Sequence, residues 1–233
     1  MSSLIVYSNE TGVYIGTDTI SWKKGKDDLI PFNFVTKTIY LPQFKCCFAV
    51  QGQAFLLNQI FSFSMSKAIA YDASSFFDVC KNSLPKVLDT TTCDEEHIGT
   101  VFIIGFSIEA QSMCTYKSIV TKTNIEFETM GNVSFIKPMI SNYDEIYQRV
   151  IELTKDKGKF DFYRSLIIEV MKQQKIEEKA IPINNKVGIG GQVQFTFMPP
   201  VDELGEITYL VEMAYTLDNY LNDYQTMLDQ TVS

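Results

Sequence analysis

Residues 2–18, Ser2-Ser3-Leu4-Ile5-Val6-Tyr7-Ser8-Asn9-Glu10-Thr11-Gly12-Val13-Tyr14-Ile15-Gly16-Thr17-Asp18, decide how the chain is read. Two apolar runs, Leu4 to Tyr7 and Val13 to Gly16, flank the turn signal Ser8-Asn9-Glu10-Thr11-Gly12. That pattern predicts a β-hairpin that starts almost at the amino terminus and carries Asp18 at the end of its second strand. An initiator Met is usually trimmed before a small residue. Its loss would leave Ser2 with a hydroxyl and a free amine on one residue, held by the strand beside a carboxylate. An α-amine with a pKa of about 7.7–8.0 serves as base for its own hydroxyl near neutral pH.

A second hairpin follows. Lys37-Thr38-Ile39-Tyr40-Leu41, a turn at Pro42-Gln43, and Cys46-Cys47-Phe48-Ala49-Val50-Gln51-Gly52 lead directly into a helix from Gln53. With these residues in place, the chain resembles the proteasome β-type and HslV-type peptidases of the N-terminal-nucleophile hydrolase superfamily. The run Gly12-Val13-Tyr14-Ile15-Gly16-Thr17-Asp18 corresponds to the family's strand ending in Asp, at the family's distance from the nucleophile. The resemblance implies Ser2 as nucleophile, Asp18 and Lys37 as a charged pair beside it, and Gly52 as oxyanion donor. The resemblance places Val50 near the pocket that reads a substrate side chain, and Ser21 one residue from the position, near Trp22, that contacts substrate backbone in the family. Asn132 and Ser134, in the stretch Met130-Gly131-Asn132-Val133-Ser134, are candidate supports for the nucleophile's amine. The resemblance also implies a peptide or unfolded-protein substrate, no cofactor, and a ring of identical subunits.

The order of elements fits that resemblance. Four strands are expected to about residue 51, then a helix over 53–71 and another from Asp72 or Ser74 that ends before Asp89. Thr100 to Phe106 reads as a buried strand, with Met113 to Tyr116 and Ile125 to Phe127 as its meander partners. Helices are expected over 142–155 and 159–175, and a late strand at Val193 to Phe197 after Gly190-Gly191. This is the α+β order of a four-layer αββα sandwich, two antiparallel sheets face to face with helices outside. Residues 1–200 are assigned to it. Residues 201–233 read as an amphipathic helical extension, because Leu204, Ile207, Leu210, Val211, Ala214, Leu217, Leu221 and Tyr224 recur at helical spacing.

Departures from the family pattern bear on catalysis. The Asp and Ser or Thr that usually precede the late Gly-Gly are replaced by Lys186 and Ile189, and Trp22 stands near a position usually held by a small residue. A non-catalytic scaffold subunit is therefore the alternative reading, and a small-molecule amidohydrolase a third. Composition narrows the field further. The chain has 233 residues, 45% hydrophobic and 21% charged, which suits one large globular domain rather than a disordered segment. The net charge of −8 disfavours nucleic acid. No apolar run is long enough to cross a membrane, and Met1-Ser2-Ser3 lacks a basic leader. The five cysteines lack metal spacing and read as reduced thiols in a cytoplasmic protein. His97, the sole histidine, leaves little material for a His-based triad or metal site and reads as an exposed loop residue. Gly188-Ile189-Gly190-Gly191 precedes a strand and is no phosphate cradle, and Lys23-Lys24-Gly25-Lys26 reads as a solvated loop.

Overall fold

The computed structural model describes residues 3–26, 28–66, 69–88, 96–200 and 208–232. The chain begins in the hairpin expected from sequence: β1 (Leu4–Asn9) and β2 (Gly12–Asp18), with Leu4 opposite Thr17 and Tyr7 opposite Tyr14. The Asn9 side chain accepts from the Thr11 N–H at 2.8 Å and closes the turn. β3 (Ile20–Lys24) and β4 (Leu29–Phe34) form a separate two-stranded hairpin, followed by β5 (Thr38–Leu41) and β6 (Cys46–Gly52). α1 (Ala54–Ser66) and α2 (Ala73–Val87) come next, then β7 (His97–Ser107), β8 (Ser112–Thr121), β9 (Ile125–Met130) and β10 (Val133–Lys137). α3 (Tyr143–Thr154), α4 (Lys159–Glu178), β11 (Gln192–Met198), β12 (Leu210–Thr216) and α5 (Tyr220–Val232) complete the described chain.

The architecture is thus mixed α/β, with three antiparallel sheets and five helices among the described residues. One five-stranded sheet has the order β10-β1-β2-β11-β12, the other β5-β6-β7-β8-β9. No helix among the described residues is long and apolar enough to cross a membrane.

Strand periodicity explains where each side chain goes. In β1 and β2, Leu4, Val6, Val13 and Ile15 join Cys47, Ala49, Phe102 and Ile104 of the other sheet in one apolar cluster. The alternate residues Ile5, Tyr7 and Tyr14 join Ile146, Val150, Leu166, Ile167 and Met171 of α3 and α4 in a second. Cys46, Phe48 and Val50 point the other way from Cys47 and Ala49, into a third cluster with α1 and α2. β1 and β2 are therefore covered on both faces, which is why they read as continuous apolar runs rather than alternating ones. Each fully buried Leu, Ile or Phe contributes about 1.5–3 kcal/mol. Gly16 lets α4 approach the sheet: a Cβ there would stand 2.3 Å from Ile167 Cγ2. The start of α2 carries a reciprocal cap, with Asp72 accepting from the Ser75 N–H at 2.8 Å and the Ser75 hydroxyl facing back.

Several expectations are corrected here. Six strands, not four, precede α1; β3 and β4 occupy the stretch around Lys23 and Lys24 that reads as a solvated loop. The tail is not one amphipathic helix from Pro200. Residues 201–207 lie outside the described residues, 210–216 form β12 paired with β11, and only from Tyr220 is the chain helical. His97 opens β7 and is half-buried instead of standing in an exposed loop.

Candidate active site

Asp18 sits at the end of β2 with no solvent exposure. Its Oδ1 accepts from the Ser3 backbone N–H at 2.9 Å and from Lys37 Nζ at 2.7 Å, and its Oδ2 accepts from the Gly190 N–H at 3.3 Å. Lys37 immediately precedes β5 and is 5% exposed. Its ammonium also donates to the Ile20 carbonyl at 3.0 Å, while its own carbonyl accepts from the Val50 N–H at 2.9 Å. Burial pushes the Lys37 pKa down; the Asp18 charge opposes that push, and the net shift is downward.

Beside Lys37 lies a cavity of about 170 Å³, lined in part by Ser21, Trp22, Val35, Val50 and Gly52. The Gly52 amide faces it for a geometric reason. Antiparallel alternation sends the Gly52 N–H to the same strand edge as the Val50 N–H, which already meets Lys37, and Gly52 lies past the last pairing of β5. Gly52 itself has φ of +143°, a conformation reserved for glycine.

The structure brings Asp18, Lys37, Gly52, Ser21 and Val50 to one place. Ser2 and Met1 lie outside the described residues; Ser3, next in the chain, is fully buried. Asn132 and Ser134 are not brought to the site. β10 runs antiparallel to β1, so Ser134 pairs with Tyr7 and Val133 with Ser8, while Lys137 is the residue opposite Leu4. Tyr7 is four residues along the strand from Ser3, about 13 Å at strand rise. Asn132 lines a different cavity of about 440 Å³ with Ser8, Asn9 and Pro200. Besides Asp18, the residue hydrogen-bonded to Ser3 comes from α4, and it is held in turn by the chain after β10. The Ser3 hydroxyl donates to Gln174 Oε1 at 2.5 Å, and Gln174 Nε2 donates to the Pro138 carbonyl at 2.5 Å.

Sequence reading missed Gln174 and Glu178. Their signal was present: Phe162, Leu166, Val170, Gln174 and Glu178 follow one another at i+4 along α4, and all five are buried. A buried stripe that turns polar in its last two turns marks polar work at that end. Burial raises the pKa values of the Cys46, Cys47 and Cys80 thiols, Cys47 to about 12, which disfavours the nucleophilic thiolate at these three positions. Among the described residues no group of three or more His, Cys, Asp or Glu stands where it would hold a metal ion.

The fold is of the proteasome-like class. The solved structure that carries this comparison is Anbu from Hyphomicrobium sp. strain MC1, matched over 99% of this chain and 96% of its own, with a TM-score of 0.55 and 10% sequence identity. At that identity the likeness is one of fold. It corrects the resemblance drawn from sequence: the matched structure is not a proteasome β-type or HslV-type peptidase but Anbu, which belongs to a different family from HslV. No family model and no curated protein matches the chain.

Proposed function

We propose that this chain is a proteasome-related hydrolase subunit of the N-terminal-nucleophile type, cleaving peptide bonds with Ser2 after loss of Met1. One observation carries the reading. The Ser3 nitrogen and the Lys37 ammonium share a single buried carboxylate oxygen, at 2.9 and 2.7 Å, beside a cavity edged by Gly52. The peptide bond to Ser2 begins at that nitrogen. In the proposed reaction the Ser2 amine takes the proton of the Ser2 hydroxyl as that oxygen attacks the substrate carbonyl. The intermediate then collapses with cleavage of the C–N bond, the same proton passes to the leaving amine, and water hydrolyses the resulting Ser2 ester to release the acid and restore the hydroxyl. The Lys37 charge lowers the effective pKa of the attacking group, and Asp18 holds Lys37 in place. The Gly52 N–H receives the developing oxyanion. Substrate would lie extended along the edge at Ser21, with Val50 in the pocket that takes its side chain. No cofactor is required.

We infer also that the layers stack helix–sheet–sheet–helix. The three apolar clusters support this, since one joins the two large sheets and the other two join each sheet to its own helix pair. Self-association into a ring of identical copies is part of the proposal. It is supported by Leu210, Val211 and Met213 on the outermost strand β12 and by Leu221 on α5, all of them exposed. A cytoplasmic setting is supported by the free thiols of Cys46, Cys47, Cys80 and Cys114.

The test is the Ser2→Ala variant on a panel of fluorogenic peptides. Cleavage is expected to vanish while stability changes by no more than about 0.5 kcal/mol. Undiminished cleavage would assign the activity to another nucleophile. A wild-type protein that keeps Met1 and cleaves nothing would instead be a non-catalytic scaffold subunit.

A further inference from the structure

The end of α4 and the loop that follows it hold an arrangement that the Asp18–Lys37 pair does not explain. Glu178 is 7% exposed. Its Oε1 accepts from the Val187 N–H at 3.0 Å and the Gly188 N–H at 2.6 Å, and its Oε2 accepts from the Ile189 N–H at 2.9 Å. Successive amides converging on one carboxylate form an anion-binding nest, here filled by a residue of the same chain. The next amide, Gly190, goes to Asp18 Oδ2 at 3.3 Å, and the Gly190 carbonyl accepts from the Thr19 N–H at 3.3 Å. Residues 187 to 190 thus run as a strap between two buried carboxylates.

We propose that Glu178 is a positioning residue of the site: it fixes the 187–190 strap, the strap fixes the Asp18 carboxylate, and Asp18 fixes the Lys37 ammonium. The geometry supplies the chain of contacts, and charge adds to it. Asp18 on β2 and Glu178 on α4 are the two charged groups that act on Lys37, both favouring its protonated form. Facing the same region, across an adjoining cavity of about 230 Å³, are Lys175, Lys179, Lys186, Asp28 and Asp223. Lys186 bonds Asp28 at 2.8 Å, and Lys175 donates to the Ile189 carbonyl. The late loop has Lys186 and Ile189 where the resembled family carries an Asp and a Ser or Thr; Glu178 reaches it from α4 instead. The catalytic part of this inference rests on the hydrolase reading above, and the structural part does not.

The test compares Glu178→Gln with Glu178→Asp in the full chain. Glutamine keeps the shape and one acceptor oxygen but turns an NH₂ towards an N–H donor and removes the charge. In E178Q kcat is expected to fall about tenfold or more, with KM within about twofold, because substrate contacts are intact and alignment is not. In ¹³C-lysine NMR the Lys37 titration should move to lower pH, and the Gly190 amide resonance should shift. E178D, which retains the charge, should keep the Lys37 titration close to that of the wild type; it also serves if E178Q folds poorly. An E178Q protein whose Lys37 titration and Gly190 resonance match the wild type, while the amides of Val187 to Ile189 exchange faster, would make Glu178 a local brace and overturn the proposal. Should the wild type with a free Ser2 amine cleave no peptide, the hydrolase reading fails, and the NMR comparison still decides the positioning claim.

Discussion

Lys37→Ala is expected to abolish peptide cleavage and to destabilise the protein by about 3–5 kcal/mol, because it strands the Asp18 carboxylate in the interior without its cation. Asp18 has no solvent exposure, and only the Ser3 and Gly190 amides would remain on it. Asp18→Asn acts on the same unit from the other side. It leaves a buried ammonium with the Ile20 carbonyl and no carboxylate in contact. The two single variants should therefore lose similar amounts of activity, and the double variant little more than either, since both destroy one coupled element. The pH dependence has a definite sign. Burial pushes the Lys37 pKa below its ordinary value, and the Asp18 charge is the main force against that push. If the protonated form is the active one, activity is lost as pH rises through the Lys37 pKa of the folded protein. In D18N the Lys37 titration itself, followed by lysine NMR, should move to lower pH. Chemical denaturation with peptide kinetics across pH measures the rest. A K37A protein that is as stable and active as the wild type would contradict the role given to the pair.

The second large effect is expected from Gly52→Ala. A Cβ at that position would stand 2.3 Å from the Ile98 carbonyl oxygen and 2.5 Å from Gly99 Cα, in a backbone conformation with φ of +143°. Neither obstacle is the flexible end of a side chain, so the strands must separate or the backbone must turn. A cost of about 2–4 kcal/mol follows from strain and overpacking together. Turning the backbone also re-aims the amide that faces the cavity, and loss of one oxyanion donor lowers kcat by about 10²-fold or more. The two readouts separate the roles: reduced stability with unchanged kcat would leave Gly52 as a packing residue only. Unchanged stability would contradict the backbone geometry itself.

The parts of the fold legible in the sequence were those where one signal dominates. β1 and β2 are apolar runs around an Asn-Glu-Thr-Gly turn, and α2 was expected from Asp72 or Ser74, of which Asp72 is the N-cap. β3 and β4 were hidden because Lys23, Lys24 and Lys26 dominate the composition there, and because a register shift between Ser21 and Trp22 breaks the alternation that marks a strand. β12 was mistaken for helix because Leu210, Val211, Ala214 and Leu217 fall at three- and four-residue intervals. As an outermost strand of its sheet it is exposed on much of its surface, so no clean period of two survives. At the site, Asp18 and Lys37 could be read because each closes or precedes a recognisable strand. Asn132 and Ser134 were misplaced because nothing local to Met130-Gly131-Asn132 says which end of β1 the next strand will meet; the antiparallel register of β10 decides that. Glu178 went unread because the helix was expected to end at 175, whereas it runs to 178 and so carries Glu178 onto the buried i+4 stripe.

In the proposed reaction one residue, Ser2, presents both a nucleophilic hydroxyl and the amine that serves it. A peptide epoxyketone tests that pairing directly, because it closes a ring only on a residue that offers both groups. Intact-mass measurement of the purified protein, before and after incubation with such a probe, followed by peptide mapping, gives the answer. The expected result is a starting mass lacking Met1, one probe equivalent added, and the adduct on Ser2, with no addition to Ser2→Ala. A mass that retains Met1, with no adduct at any concentration at which the protein stays folded, would contradict it.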